Sequence, residues 1–283
     1  MKKTNLTILV ALFNVILFFS FCSNNEENSN NSNSTFSIEQ RFNLSKVLTI
    51  GHNTMLVNMY ETLKENPIMV NGHLLDHENE LDACIDLFVK ANKDICRTTT
   101  RGVDGVSIDP EYLKVMVLQN FVLKNNRNQT RTDEEIQIPD FMMLFYNDFF
   151  KSDDLEISNL NDEILFSIRK VMNAYPNLTE EEIDGLFFVA GVTYNSCIYW
   201  FENADKWVCL LNQNALNRTR AYEWLWDGVK NGVKKWAKAD SSGAIEAWLA
   251  NKVASVASGG MTLLGGAAIG SAIGAWDNLP VWD

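Results

Sequence analysis

The chain has 283 residues, of which 46% are hydrophobic, and a formal net charge of −12 at pH 7. This length and hydrophobic content are enough for one folded unit with a sizeable core. The acidic balance argues against nucleic acid as a partner, because phosphate binding requires clusters of basic side chains.

The first residues have the layout of a bacterial export signal. Lys2 and Lys3 precede an apolar run over 6–21, which is short for a permanent membrane span, and Cys22 follows that run. The arrangement resembles the lipobox of bacterial lipoproteins, in which the signal peptide is cleaved before the Cys and the Cys is acylated. Phe21 departs from the family pattern, which has a small residue at that position.

The residues after Cys22 have the composition of a flexible tether. A Cys-Ser start followed by Glu26 and Glu27 resembles the surface-export signal of Bacteroidetes lipoproteins. The rest of 22–35 is mostly Asn and Ser, which bury too little apolar surface to order the chain. We therefore predict a signal peptide over 1–21, a disordered tether over 22–35, and an exported protein anchored by palmitate at the outer membrane or cell surface. An ordinary secretory peptide and an uncleaved anchor are the alternatives.

Residues 36–216 read as a helical domain. Two capping boxes mark helix starts, one at Ser37 and one at Thr179. The helix that begins at Thr179 is apolar on nearly all sides between 186 and 192, so we expect it to be the buried central helix. The sequence shows no runs in which apolar and polar residues alternate, the pattern that indicates a β-strand. The sequence therefore predicts an all-α fold, an irregular bundle of about seven to nine helices.

Apolar residues at helical spacing predict which faces line the core. The first stripe ends before Pro67, and a dense cluster of aromatic residues and Met occupies 139–150. The predicted stripes are Leu48, His52, Met55, Leu56, Met59 and Leu63; Leu81, Cys84, Ile85, Phe88 and Ile95; Leu165, Ile168, Met172 and Tyr175; and Leu186, Phe187, Ala190, Tyr194, Cys197 and Phe201.

Two short segments resemble a family of uncharacterised secreted proteins of Bacteroidetes and Firmicutes. The segment 51–60 begins Gly-His-Asn and contains Leu56 and Tyr60, as the N-terminal region of that family does. The segment 196–200 has a small residue followed by Tyr-Trp, and the family also ends in a Gly/Ala-rich tail. Since that family has no assigned activity, the resemblance implies an architecture and no chemistry.

The three histidines are the first candidates for chemistry. His73 and His77 would share one helix face among acidic residues, a spacing that zinc sites use. A third ligand and the Glu of a HExxH motif are not identifiable, and the turn signal at 71–72 also fits a solvated helix start. For His52, within an apolar stripe, we expect a buried imidazole that donates to a neighbouring carbonyl. A metal-dependent enzyme using His73 and His77 is one hypothesis; we expect no cofactor, no catalytic residue and no enzymatic activity.

Four cysteines besides the one in the lipobox leave disulfides open in an exported chain. Cys84 and Cys197 lie on predicted core stripes, which favours buried free thiols. Cys96 adds a third thiol, and Cys209 could reach Cys197 only if the chain turned back near 203–205.

Residues 217–252 read as amphipathic helices. Trp226 and Trp236 lie on an apolar face, with Lys230 and Lys234 on or beside the opposite face. Basic helices that carry Trp are typical of membrane interfaces, although a helix packed on a core has the same stripe.

The stretch 253–276 carries no charge. Gly266, Gly270 and Gly274 recur every fourth residue, so on a helix they form a stripe to which another backbone can pack closely. This pattern predicts a glycine-zipper tail.

Turn signals divide the C-terminal region further. Ser-Ser-Gly at 241–243 is expected to break the preceding helix, and Ser-Gly-Gly at 258–260 to fold the tail into a helical hairpin. Residues 277–283 form a terminal segment.

Two hypotheses for function follow. The first is a non-enzymatic surface or outer-membrane lipoprotein, held to the membrane by its N-terminal lipid, whose tail packs on the helical body or contacts a bilayer or a protein partner. The alternative is a bacteriocin-like, membrane-active antibacterial protein that inserts its C-terminal region.

Overall fold

A computed structural model describes residues 36–65, 86–88, 90–92, 138–151, 156–211, 233–234, 236–245 and 248–249. Within these ranges all regular structure is helical and no strand occurs, which confirms the all-α fold. The tail hairpin and the total number of helices involve residues outside these ranges and stay predictions.

Five helices have defined bounds in the described part of the chain. They are α1 Ile38–Leu48, α2 Ile50–Glu65, α3 Asp140–Phe149, α4 Leu160–Ala174 and α5 Glu180–Leu211. Residues 86–88 and 90–91 are also helical. So are 233–234, 236–245 and 248–249, which we call the C-terminal segment.

Both predicted capping boxes are present. Ser37 Oγ accepts from the backbone N–H of Gln40 at 3.2 Å, and Gln40 Oε1 accepts from the backbone N–H of Ser37 at 2.8 Å. Thr179 and Glu182 make the same reciprocal pair, at 3.3 and 2.9 Å. Each pair satisfies backbone donors that the first turn of a helix leaves unbonded, so these starts are encoded locally.

The first predicted stripe is divided between two helices at Thr49. Asn195 of α5 causes the division, because its Nδ2 donates to the carbonyl of Lys46 at 2.7 Å and to Thr49 Oγ1 at 2.8 Å. That carbonyl is the one that Ile50 would use in a continuous helix. A side chain inserted into the hydrogen-bond ladder of a helix is a known cause of a kink.

Helix α5 is the central helix, as predicted. Helices α1 and α2 run along it in the same direction, with Ser45 beside Gly191 and the rings of Tyr60 and Trp207 5.5 Å apart. A Cβ added at Gly191 would lie 2.8 Å from the carbonyl carbon and oxygen of Ser45. Glycine at this position therefore lets α1 approach α5 closely.

The C-terminal segment runs antiparallel to α5 and packs against α3 as well. Its Trp236 stacks near Trp200, with ring centroids 5.0 Å apart, and its Trp248 lies 6.0 Å from the ring of Phe141. Phe141 also contacts Tyr175 at the end of α4. The segment therefore shares one hydrophobic core with α1 to α5.

Two expectations were wrong. Residues 241–243 do not break the helix, because 236–245 are helical throughout. Ser241 Oγ donates to the carbonyl of Ala237 and lies 2.7 Å from Thr193 Oγ1 of α5, so tertiary contacts outweigh the local turn signal. Phe201, expected in the core, is 49% exposed, because the buried face of α5 passes through Trp200 and Ala204 instead.

Most other stripe residues have the predicted burial. Leu48, Met172, Tyr175 and Tyr194 are half-buried. The fully buried ones are His52, Met55, Leu56, Met59, Leu63, Phe88, Leu165, Ile168, Leu186, Phe187, Ala190 and Cys197.

Candidate functional site

Polar side chains meet where α2, α5 and the C-terminal segment come together. Ser196 Oγ and Trp200 Nε1 both donate to Asp240 Oδ2, the indole at 3.1 Å. The Nε2 atom of His52 lies 3.4 Å from the same oxygen, and the side chains of His52 and Asp240 are both 0% exposed. We call His52, Ser196, Trp200 and Asp240 the buried polar centre.

Local structure explains how each side chain reaches this point. Ser196 and Trp200 are four residues apart on α5 and therefore share one face. Asn53 orients the imidazole from α2: its Nδ2 donates to the carbonyl of Asn195 at 2.9 Å, and its Oδ1 lies 2.9 Å from His52 Nδ1. The amide oxygen thus accepts from His52 Nδ1–H, which assigns one of the two ring hydrogens.

The hydrogen on His52 Nδ1 leaves the Nε2 atom as the ring nitrogen that faces Asp240. With Nδ1 protonated, a neutral His52 would direct its Nε2 lone pair at a carboxylate oxygen of Asp240, which is repulsive. A further proton between the two groups, on the imidazole or on the carboxyl, removes the repulsion. The pair lies in a site without solvent exposure, where polar contacts are strong and their loss is costly.

The centre contains the residue types of a Ser-His-Asp triad in a different arrangement. In a triad the Ser hydroxyl donates to the imidazole, which in turn donates to the carboxylate. Here the hydroxyl of Ser196 donates directly to Asp240, and neither residue is exposed. This geometry joins α2, α5 and the C-terminal segment.

Sequence reasoning found His52 and missed Asp240. The predicted burial of His52 is confirmed, and the carbonyl near it is the side-chain carbonyl of Asn53. The overlooked signal is a carboxylate on an apolar stripe: Val233, Trp236, Asp240 and Ala244 follow helical spacing, and all four are buried. An acidic residue at such a position requires buried donors.

A second polar site is a surface pocket of about 560 Å³ between the end of α3 and the start of α4. Its wall includes Asp148, Ser167 and Lys234. Asp148 accepts from Lys170 Nζ at 2.5 Å and from Ser167 Oγ at 2.9 Å, and Lys151 lies 3.5 Å away. Burial by itself raises the pKa of Asp148, but these hydrogen bonds and lysine charges outweigh it and hold that pKa below its ordinary value.

Two predicted membrane-interface residues lie inside the body. Lys234 is 5% exposed, with its Nζ 5.5 Å from the ring centre of Phe149, and Trp236 is 2% exposed. These side chains could meet a bilayer only if the C-terminal segment left the core. The other predicted site residues lie outside the described residues: Cys22, His73, His77, Trp226, Lys230, Gly266, Gly270 and Gly274.

Cys197 and Cys209 are free thiols on one continuous helix. Twelve helical residues separate them by about 18 Å, and the chain does not turn back near 203–205. Burial raises the pKa of the Cys197 thiol, and the charge of Asp240 raises it further. Burial also raises the pKa of Cys209, which is half-buried. Cys84 and Cys96 lie outside the described residues.

Two searches of the described residues gave negative results. No group of three or more His, Cys, Asp or Glu side chains in these ranges has an arrangement that could hold a metal ion. In the same ranges, no helix combines the length and the apolar character needed to cross a membrane.

Comparison with known proteins found no matching family model, no matching curated protein and no matching solved structure. The resemblances of the lipobox and of the two internal segments therefore stay predictions. In the structure those internal segments, 51–60 and 196–200, meet at the buried polar centre, through His52 of the first and Ser196 and Trp200 of the second.

Proposed function

We propose that the chain is an exported, lipid-anchored surface protein whose all-α body acts by binding rather than by catalysis. The observation that carries this proposal is the integration of the C-terminal segment into the core. Asp240 and Ser241 of that segment bond to α5, and Trp236 packs against Trp200. The glycine-striped stretch follows shortly afterwards, so the chain that leads to it is held by the body.

The closed polar centre supports the same proposal. Its Ser, His and Asp side chains connect three helices, and their burial separates them from any substrate in solution. The chain is acidic, with a net charge of −12, and the described body exposes apolar side chains such as Phe166 and Phe201 that a protein partner could cover. Binding to another envelope component is the role that these properties favour.

The alternative, insertion of the C-terminal region into a membrane, has an identifiable cost. Trp236, Asp240 and Ser241 would leave buried contacts, and the donors Ser196 and Trp200 would lose their acceptor. Each buried donor left without a partner costs about 1–3 kcal/mol. We therefore give preference to the lipoprotein.

Palmitate labelling in cells tests the anchor. We expect the wild-type chain to incorporate labelled palmitate and to partition into detergent, and Cys22→Ser to lose both properties. Ser23→Ala, which keeps the acceptor thiol, serves as the matched control and should be labelled. Label on Cys22→Ser, or none on the wild type, would refute the anchor.

A pair of tail variants tests whether the tail packs on the body. Gly270→Leu should lower the free energy of unfolding by about 1–3 kcal/mol, because it inserts a side chain into a closely packed stripe. Ala272→Leu, which the predicted helix would place on the side opposite the glycine stripe, is the control and should change stability little. Dye release from vesicles by the intact protein, with no stability loss in Gly270→Leu, would favour the membrane-active alternative.

A further inference from the structure

The beginning and the end of the described chain both lie near the first turns of α5. Arg41, in the first turns of α1, donates to Glu180 Oε2 at 2.8 Å and lies 3.5 Å from Asp184 Oδ1. Trp248, near the end of the C-terminal segment, lies against Gly185, where an added methyl group would overlap the indole ring. The first turns of α5 thus contact both the beginning and the end of the described chain.

Other contacts place two further helix ends there. Phe141, at the start of α3, contacts Trp248 and also Tyr175, which directly follows α4. We call this end of the bundle, where α1, α3 and α5 begin and where α4 and the C-terminal segment end, the base. The opposite end, where Tyr60 of α2 meets Trp207 of α5, is the top.

Lengths determine which end an N-terminal lipid would hold. Helix α5 has 32 residues and is about 48 Å long. The tether 22–35 has a root-mean-square span of about 20 Å if it behaves as a flexible coil. A lipid on Cys22 therefore keeps the base much closer to the bilayer than the top.

The described chain also ends at the base, and an apolar stretch follows it in the sequence. The uncharged stretch 253–276 begins four residues after the last described residue, Leu249, and Phe36, immediately before α1, is 59% exposed. The carboxylates of Glu180, Glu181 and Glu182 also lie at the base and are repelled by anionic headgroups. The base is therefore suited to facing a bilayer across the tether without embedding in it.

We infer that the base is the membrane-facing surface of the body and that the top, with the ends of α2 and α5, points away from the lipid. This inference rests on the proposed lipid anchor. The partner is a phospholipid bilayer.

Energy transfer to labelled lipid tests the orientation. The full lipidated chain carries a fluorescent amino acid in place of Ala174 at the base, or in place of Lys206 towards the top; both native side chains are exposed. It is reconstituted into vesicles of phosphatidylethanolamine and phosphatidylglycerol that contain an acceptor lipid. The two levels differ by about 39 Å along α5, so we expect at least about twofold more transfer from position 174.

A second pair of positions is available if a label at the first pair disturbs folding. Asn173 and Glu202 are also exposed, near the base and further along α5, and replace the first pair if either labelled variant has a lowered melting temperature. Equal transfer from both levels, or greater transfer from the upper one, would overturn the inference.

A separate arm distinguishes this inference from the proposed anchor. The chain from Ser23 onward, with an N-terminal His tag, is bound to vesicles that contain a nickel-chelating lipid, so its N-terminus is held even if cells do not acylate Cys22. Greater transfer from position 174 here, with no palmitate in cells, would refute the anchor and support the geometry of the base. Equal transfer from both positions would refute that geometry, whatever the palmitate result.

Discussion

The buried polar centre and the surface pocket contain similar groups in opposite environments. In the first, Asp240 accepts from Ser196 and faces His52, with no exposure to solvent. In the second, Asp148 accepts from Ser167 and from Lys170, whose side chain is 47% exposed. Both carboxylates have a hydroxyl donor and a basic partner. Water can take the place of Lys170 beside Asp148, because that site is open to solvent, but it has no access to the site of His52 beside Asp240.

This difference predicts how each region contributes to stability. A charge that loses its partner in a closed site keeps the full cost of its burial, whereas a charge at a pocket wall regains water. The buried polar centre should therefore respond strongly to small chemical changes, and the pocket weakly. The following experiments test that difference in stability.

The largest effect is expected for Asp240→Ala. Removal of the carboxylate takes the acceptor from the buried donors Ser196 and Trp200 and the facing charge from His52, and should lower the free energy of unfolding by about 3–5 kcal/mol. Urea denaturation monitored by circular dichroism measures the loss. Glu202→Ala on the exposed face of α5 is the control and should stay within about 0.5 kcal/mol of wild type. A loss below about 1 kcal/mol in Asp240→Ala would show that water enters the centre.

A somewhat smaller loss of stability is expected from Gly191→Ala, where α5 packs against the backbone of α1. The added Cβ would lie 2.8 Å from backbone atoms of Ser45, which can move only with α1, so we expect a loss of about 1–3 kcal/mol. Gly185→Ala is the informative comparison, because its Cβ meets the side chain of Trp248 and displaces only the C-terminal segment. Unchanged melting temperatures in both variants would contradict the close packing of α5.

The pocket should show a smaller and pH-dependent effect. At pH 7, Asp148→Asn should lower the free energy of unfolding by about 1 kcal/mol, since charged hydrogen bonds to Lys170 and Ser167 are weakened. The pKa of Asp148 lies below its ordinary value of 3.8 in the folded chain. The unfolded chain therefore takes up this proton first as the pH falls, and the contribution is lost below that value.

Urea denaturation from pH 7 downward measures this dependence. The difference between wild type and Asp148→Asn should be constant above about pH 5 and should shrink as the pH falls through the lowered pKa. Lys170→Met, which removes the closest cation, should reduce the dependence. A difference that persists unchanged in strong acid would disprove the assigned cause.

The experiment with the smallest expected effect compares the reaction rates of two thiols on α5. Cys197 is buried beside the centre and has a raised pKa, so it should react with a thiol reagent only when the chain unfolds. Cys209 is half-buried and should react in the native protein, more slowly than a free cysteine. The measurement uses Cys22→Ser, Cys84→Ser and Cys96→Ser together, with Cys209→Ser as the control that isolates Cys197. Rapid native labelling of Cys197 would show that the core opens readily.

Local sequence patterns were enough to predict the helical class, the two capping boxes, the central position of α5 and most of the buried stripes. These features depend on residues within one or two turns of each other, where side-chain spacing and backbone capping act locally. The burial of His52 was predictable for the same reason, because its neighbours in the stripe are apolar.

The helix boundaries and polar pairings that were not predicted depend on contacts between distant parts of the chain. Asn195 divides α1 from α2 at Thr49, Thr193 bonds to Ser241 where a break was expected, and Asp240 meets His52 from the far end of the chain. Each outcome joins residues that lie between about 50 and 190 positions apart, and no local pattern records which distant helix supplies the partner. Packing around α5 selected these pairs, because a buried polar group must find a partner wherever the fold brings one within reach.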